Sequence, residues 1–403
     1  MDFTFTEEQQ AAVEAARAVF SGVVPDTVPS PALTPGAVAD DFDRPLWAKL
    51  AESDLLSLVI GPEYGGAGLD PIALCLVLRE SAKVLARVPL LETSAVAMAV
   101  ERYGSTELAR ELLPAVGRGE LVLTVGASGR TGHDPAELGV TAQLVTGESG
   151  GGEGSWVLDG VQTAVPWAYS ADRIAVPAHT GEGRAVLALI PRVHEGLTLA
   201  EQFSTSGERF AEVRLDSVRV KADAVIDAEG AWEWLRDLLA TGTCALALGL
   251  GTGVLAMTSE YTGKREQFGF PVATFQAVAV QAADRYIDLR AMEATLWQAA
   301  WRISTGAAGA LPASGDVSVA KIWASDGVRR VVQTAQHLHG GFGADTDYPL
   351  HRYHAWAKQL ELSLGPAAAH EEALGDLLAA HPLASPDTRE PGGRQATGRP
   401  PET

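Results

Sequence analysis

At Leu121 the hydrophobic pattern changes its period, and near Ala231 it changes back. This double switch constrains the fold more than any other feature, because a helix repeats its apolar face about every 3.6 residues and a half-buried strand every second one. Before the first switch, LWAKLAESDLLSLV and IALCLVLRESAKVLA repeat apolar residues at three and four, and Thr6 with Glu7 and Glu8 opens a helix. Between the switches come short alternating runs (LVLTVG, VTAQLVT, SWVLDG, RIAVPA, AVLALIP, AEVRLDSVRV) separated by Gly, Ser, Asp and Pro. After the second, helical patterns return in AWEWLRDLLATG running into Cys244 to Thr262, then in FQAVAVQAADRYIDLRAMEATLWQAAWRIS, VSVAKIWASDGVRRVVQTAQHLH and AAAHEEALGDLLAA.

A chain of 403 residues exceeds what one hydrophobic core serves, so the switches are read as boundaries between packed units. The expected class is α+β: a helical domain over 1–120, a β-domain over 121–228 and a four-helix-like bundle over 229–381. Residues 382–403 are rich in Pro and Gly and poor in apolar side chains, and are expected to form a disordered tail. GESGGGEGS is expected to be a flexible hairpin tip. The glycine-dense stretch from Gly61 to Asp70 reads as a turn interrupting the first helical domain.

Net charge is -20, which argues against a nucleic-acid binder and against an anionic membrane surface, both of which call for clustered Lys and Arg. Cys75 and Cys244 are too few and too far apart for a disulfide framework or a metal cluster, and read as small buried residues in a reducing compartment. The N-terminus carries acids where a signal peptide would be apolar. The apolar run Cys244 to Met257 is too short for a bilayer span. No membrane crossing is expected, and a cytoplasmic location is.

Two motifs carry chemistry, each at a helix boundary: GKREQFGFPVATFQAVAVQ (Gly263 to Gln281) and TAQHLHGGFGADTDYPLHRY (Thr334 to Tyr353). In the first, Arg265 is a permanent planar cation suited to a phosphate, Phe268 and Phe275 offer flat apolar faces, and Gln276 can bond a polar edge. In the second, Gln336 precedes Gly340, Gly341 and Gly343, whose backbone N–H groups can approach a pyrophosphate closely. Taken singly, Arg265 could be a surface cation and Gly340-Gly341 a helix C-cap. His337, His339, His351 and His354 crowd one region without a tetrahedral spacing, so no metal is expected there and hydrogen bonding is.

With the α–β–α layout, these motifs resemble the acyl-CoA dehydrogenase family from Phe5 to about Ala380; the turn at Pro62 to Leu69 and the segment Arg214 to Val220 fit it too. The resemblance implies a barrel-like middle domain, FAD as cofactor, an acyl-CoA substrate and an electron-transfer acceptor. It also implies that the segment carrying Arg265, Gln267, Phe268 and Gln276, and the one carrying Gln336, Gly340 and Gly341, reach the FAD of a neighbouring subunit.

That chemistry needs a base. A carboxylate takes the proton beside the thioester carbonyl while hydride leaves for the flavin. In most members the base is a Glu just before Gly-Thr, a position that falls here on Leu364, followed by Gly365-Pro366. Other members carry it on the long helix ahead of the Arg motif, where counting back gives Leu239 and Ala240. The family's Trp-x-Thr on the flavin-facing strand is replaced by Ala164 and Pro166, with Trp167 nearby. Its Thr-Glu-Pro-x-Ala-Gly-Ser is reduced to Thr124-Val125-Gly126-Ala127-Ser128-Gly129.

A vacant base beside an intact clamp is the pattern of a heteromer in which one chain catalyses and the other holds FAD. The wording QHLHGGFGADTDYPLHRYHAWAKQLELSLG resembles subunits of the α2β2 assemblies of actinobacterial steroid side-chain degradation. Two alternatives stay open at this level. One is a self-sufficient homotetrameric dehydrogenase with a displaced carboxylate, Glu361 first, with Glu233 and Asp237 beside the other position. The other is a flavin monooxygenase or oxidase of the same fold, which needs no base.

Overall fold

The computed structural model describes residues 4–131, 137–145 and 154–382; the expected tail beyond 382 and residues 147–153 of the glycine-rich tip lie outside them. Among the described residues the first unit has five helices: α1 (Glu7–Phe20), α2 (Arg44–Glu52), α3 (Pro71–Ala82), α4 (Leu90–Tyr103) and α5 (Thr106–Gly117). The helix starts follow from capping. Thr6 Oγ1 accepts from the Gln9 backbone N–H at 3.2 Å while Gln9 Oε1 accepts from the Thr6 N–H at 3.0 Å, so two otherwise orphaned donors are satisfied reciprocally. Asp70 caps α3 by accepting from the Ala73 N–H, with Pro71 in the first turn where its missing N–H costs nothing. The same carboxylate accepts from Gln9 Nε2 and Ser304 Oγ, tying the first unit to the last.

In the turn before α3, Gly66 is required sterically. A Cβ there would lie 2.0 Å from the Ile60 carbonyl oxygen, closer than any side chain tolerates.

Among the described residues the middle unit is an eight-stranded mixed sheet built from β1 (Leu123–Val125), β2 (Val140–Val145), β3 (Ser155–Val165), β4 (Arg173–Thr180), β5 (Ala185–Pro191), β6 (Leu197–Phe203), β7 (Arg209–Lys221) and β8 (Val225–Ile226). The path runs β6-β7-β3-β2-β4-β5-β8, with β1 against β4. β2 and β3, which flank the expected hairpin tip, pair antiparallel from Val140–Gly160 to Val145–Ser155. Inward residues such as Leu158, Val176, Ala188 and Val213 form the sheet's own core. The β3–β7 register slips between Gln162 and Val165, which bends the strand end where it meets the helices.

The last unit holds α6 (Ala231–Lys264), a two-residue hairpin of β9 (Glu266–Gln267) and β10 (Phe270–Pro271), then α7 (Gln276–Thr305), α8 (Ala313–His339), α9 (Leu350–Leu362) and α10 (Ala367–Ala380). The four helical runs read from the sequence become five helices. The additional one, α9, lies in the segment read only as motif, because charged and aromatic residues mask its period. The apolar run from Cys244 to Met257 lies within the longer helix α6. α6 spans 34 residues and is long and apolar enough to cross a bilayer, yet 78% of its most apolar stretch is buried within the protein. It is the axial core helix, packed so tightly on α3 that a Cβ on Gly249 would lie 2.0 Å from the Arg79 carbonyl oxygen. Cys75 and Cys244 are free thiols in this core, and burial pushes the Cys244 thiol up to about 12.

Candidate functional site: a buried cavity and an exposed motif surface

Where α4, α6, α9 and the end of β3 converge, a cavity of about 390 Å³ opens. Leu239 on α6 and Leu364 beyond α9 both line it. The two positions at which sequence counting places a base therefore face one space, and both present aliphatic side chains. Leu364 keeps an unusual backbone, at φ 57, followed by Gly365 at φ 98. For a leucine that region is strained, and it persists only where the surroundings enforce it. They do: the buried Lys321 Nζ donates to Gly365 O at 2.9 Å, Glu361 O at 3.2 Å and Leu360 O at 3.3 Å, fixing the turn that carries Leu364.

Ala164 and Pro166 line the same cavity. Ala164, inside the β3–β7 slip, sits at φ 50 and donates its N–H to Gln202 Oε1 at 2.8 Å. Pro166 has no N–H, and its carbonyl accepts from Thr124 Oγ1 at 2.6 Å, so that hydroxyl is already engaged. Trp167 does reach the cavity wall, at φ 55, but its indole N–H donates to Glu92 Oε2 at 3.1 Å and its ring meets Phe42 edge-on. Ala164 and Pro166 offer neither a hydroxyl nor a free N–H.

Two cavity residues, Glu92 and Glu208, were not singled out from the sequence. Glu92 had a signal, an acid in the otherwise apolar start of α4; Glu208, after a Ser-Gly turn, had none. Burial pushes the Glu92 carboxyl up to about 7, against the pull of a backbone hydrogen bond and of Trp167. Glu208 is pushed up to about 8, chiefly by burial and then by the like charge of Glu92, while Arg87 and the Gln359 hydrogen bond oppose. Its Oε2 accepts from Gln359 Nε2 at 3.0 Å; its Oε1 has no partner.

The residues of the two sequence motifs lie elsewhere. Arg265, Gln267, Phe268, Phe275 and Gln276 occupy the surface between α6 and α7, and neither they nor Gln336, Gly340 and Gly341 line the cavity. Phe268 is 91% exposed at φ 54, its ring edge-on to Phe275. Among the described residues the Arg265 guanidinium has no hydrogen-bond or ion-pair partner. Gly340 sits at φ 60, ψ -141, a conformation essentially reserved for glycine, and caps α8 by donating to Gln336 O and His337 O. The Tyr261 ring, one turn before Arg265, stacks on His339 at 4.3 Å and on Phe342 at 5.5 Å, so the two motifs share one end of the bundle. Two of the four crowded histidines serve that packing: His339 bonds Ala335 O and the Tyr348 hydroxyl, and His351 bonds Tyr348 O.

Comparison with known proteins decides the family. Residues 6–120 match the acyl-CoA dehydrogenase N-terminal domain and residues 237–378 the acyl-CoA dehydrogenase C-terminal domain. The chain belongs to the acyl-CoA dehydrogenase family. It is similar to the acyl-CoA dehydrogenase FadE27 of Mycobacterium tuberculosis, with 34% identity over 95% of this chain and 100% of the relative. Among solved structures it resembles a chain of the ChsE4-ChsE5 complex from Mycobacterium tuberculosis (33% identity, TM-score 0.83, 95% of this chain and 100% of that one). It also resembles a chain of the Tcur3481-Tcur3483 steroid ACAD (36% identity, TM-score 0.82, 93% and 98%).

Acyl-CoA dehydrogenases are FAD-dependent and act on a carbon–carbon bond of the acyl-CoA, so an acyl-CoA dehydrogenase site must present a base. The fallback candidate Glu361 does not line the cavity. Its Oε2 accepts from Lys358 Nζ at 2.6 Å and its Oε1 lies 3.9 Å from Arg329 Nε. Asp237, raised to about 6 by burial, does not line the cavity either, and Glu233 is exposed.

Proposed function

We propose that this chain is the non-catalytic, FAD-clamping subunit of a heteromeric acyl-CoA dehydrogenase. Its partner is a related catalytic chain that desaturates an acyl-CoA and passes electrons to a separate acceptor. The observation that carries this reading is the pairing of Leu239 and Leu364 across a cavity where a base is indispensable. The chain's own cavity does not fit a working flavin, since Pro166 and Ala164 supply no hydroxyl and Trp167 is tied to Glu92. The clamp does fit one. An unpaired guanidinium, two exposed phenyl faces and a glycine turn are the donor set that a neighbour's dinucleotide calls for.

In this reading Arg265 would bond a phosphate, Phe268 and Phe275 would cover an aromatic ring, and Gln276, Gln267 and Gln336 would bond polar edges. FAD, when bound, supplies the hydride acceptor for the partner's chemistry. Val280, Tyr286 and Ile287, exposed along the first half of α7, extend the clamp into an apolar surface of the kind that partner chains cover. The steroid ACAD among the similar structures, and the paired names of both complexes, favour a bulky acyl group and a two-chain assembly.

The test is flavin stoichiometry. The chain purified alone should be colourless, and co-purified with a related dehydrogenase it should hold one FAD per pair of unlike chains. One FAD per chain alone, bleached by an acyl-CoA, would overturn the assignment in favour of a self-sufficient enzyme. Such an enzyme's base would have to be Glu92 or Glu208, the carboxyls that do line the cavity.

A further inference from the structure

The clamping role leaves this chain's own cavity unused, yet the cavity has not collapsed. Leu78, Leu90, Leu246 and Leu360 join Leu239 and Leu364 in its wall, and no Lys or Arg lines it. Phe203 and Leu362, both exposed, carry the apolar surface of that wall out to solvent. An apolar cavity of about 150 Å³ holds one benzene ring, so the 390 Å³ here gives room for roughly fifteen carbon atoms.

The polar side chains of the wall are engaged inside the protein. Ser81 Oγ donates to Leu78 O at 2.8 Å, Thr205 Oγ1 to Ala355 O at 2.7 Å and Thr243 Oγ1 to Leu239 O at 2.9 Å. Glu92 accepts from Trp167, Glu208 accepts from Gln359, and Trp356 donates its indole N–H to Asp26 Oδ2 at 3.2 Å. Among the described residues Ser128 keeps the one lining hydroxyl without a hydrogen-bond partner, whereas an ordered water needs about two to four polar partners. The space is therefore poorly suited to water. Left empty, it forfeits dispersion contacts on every lining atom, and a molecule of carbon and hydrogen restores them.

We propose that this cavity binds a free, neutral, hydrocarbon-like molecule of up to roughly fifteen carbon atoms, held by contact with the leucine wall and by no hydrogen bond. The molecule is not consumed there, because Leu239 and Leu364 supply no base. A charged group drawn inside would lose its hydration, and a carboxylate would find no cation in the wall. The site is independent of the clamp: it requires no flavin and no partner residue.

The test titrates the full chain, alone and with its co-purified partner, by isothermal calorimetry with the n-alkylbenzenes from ethylbenzene to hexylbenzene. Affinity should rise about three- to fourfold with each methylene through the whole series, and the heat-capacity change on binding should grow more negative alongside it. 6-Phenylhexanoate and 6-phenylhexylammonium should bind about tenfold weaker than hexylbenzene, or more weakly still. Leu246→Trp, which fills the space, should remove this binding from the chain alone and from this chain's share of the sites in the complex. The wild-type series stands as a test even if that variant fails to fold. No binding of hexylbenzene, an affinity that levels off before butylbenzene, or a charged probe that binds as tightly as hexylbenzene would each overturn the proposal.

Discussion

Trp167 donates its indole N–H to Glu92 Oε2 at 3.1 Å, so the aromatic residue of the bent strand is committed to a buried acid. That acid and Glu208 have carboxyls pushed up from 4.5 to about 7 and about 8, mainly by burial. The folded chain then holds these protons more tightly than the unfolded one. Their contribution to stability is complete below the unfolded value and is lost as pH rises through 7 and 8. The melting temperature should fall between pH 6 and pH 9, and Glu92→Gln and Glu208→Gln should each flatten that fall. Arg87, Asp26 and Gln359 also face Glu208, so the double variant tests whether the slope belongs to the two acids. An unchanged slope in the double variant would show that both are ionised throughout.

Arg265 separates flavin retention from folding. Its guanidinium has no partner within the described residues, so Arg265→Ala should change the stability of the isolated chain by less than about 0.5 kcal/mol. On the proposed clamping role, the same change in a complex with the partner chain would remove charge-assisted hydrogen bonds to FAD, and FAD affinity should drop about 10- to 100-fold. Arg265→Lys should recover only part of the loss, because an ammonium cannot present a planar fork. Flavin release measured by fluorescence on dilution reads both variants. Equal retention by all three proteins would remove Arg265 from the clamp.

The three-part organisation was legible because period is a local property: alternation in RIAVPA and the three-four repeat in LWAKLAESDLLSLV survive without knowledge of any partner. The α9 helix was not legible, since the histidines, Trp356 and Lys358 that serve the packing of its several faces break a single apolar stripe. The site divided the same way. Leu239 and Leu364, counted from motifs in different parts of the chain, meet in one cavity, and Arg265 to Gln276 lie exposed together. Glu361 looked available from its place near Leu364, but a residue's neighbours across the fold are not written beside it, and Lys358 and Arg329 occupy it. Glu208 takes its raised carboxyl from burial beside Glu92, and its bonded partner Gln359 lies on α9, roughly 150 positions away.

Restoring the missing carboxylate should not restore activity. Leu364 already has the left-handed backbone, so Leu364→Glu would place an acid on the cavity wall without moving the chain. Ala164 and Pro166 would still lack the hydroxyl, and Trp167 would still be bonded to Glu92. The variant purified alone should leave added FAD unreduced by acyl-CoA thioesters under anaerobic conditions. Bleaching above the wild-type rate would mean that the base alone was missing, and that this chain's cavity can hold a flavin.

Lys321 is the fastener of the same wall. Its buried Nζ donates to Ser325 Oγ and to the carbonyls of Leu360, Glu361 and Gly365, and burial lowers it to about 8. Lys321→Met keeps the apolar stem and removes every one of these bonds. Carbonyls left without donors outweigh the relief of an uncharged side chain, and the loss should be roughly 3 kcal/mol. The first consequence is local: the segment from Leu362 to Pro366 loses its anchor, and Leu364 is free to leave φ 57. Limited proteolysis should therefore cut the variant between Leu362 and Pro366 at protease concentrations that spare the wild type. A stability loss with no new cut there would mean that the strained leucine is held by its packing in the cavity and not by Lys321.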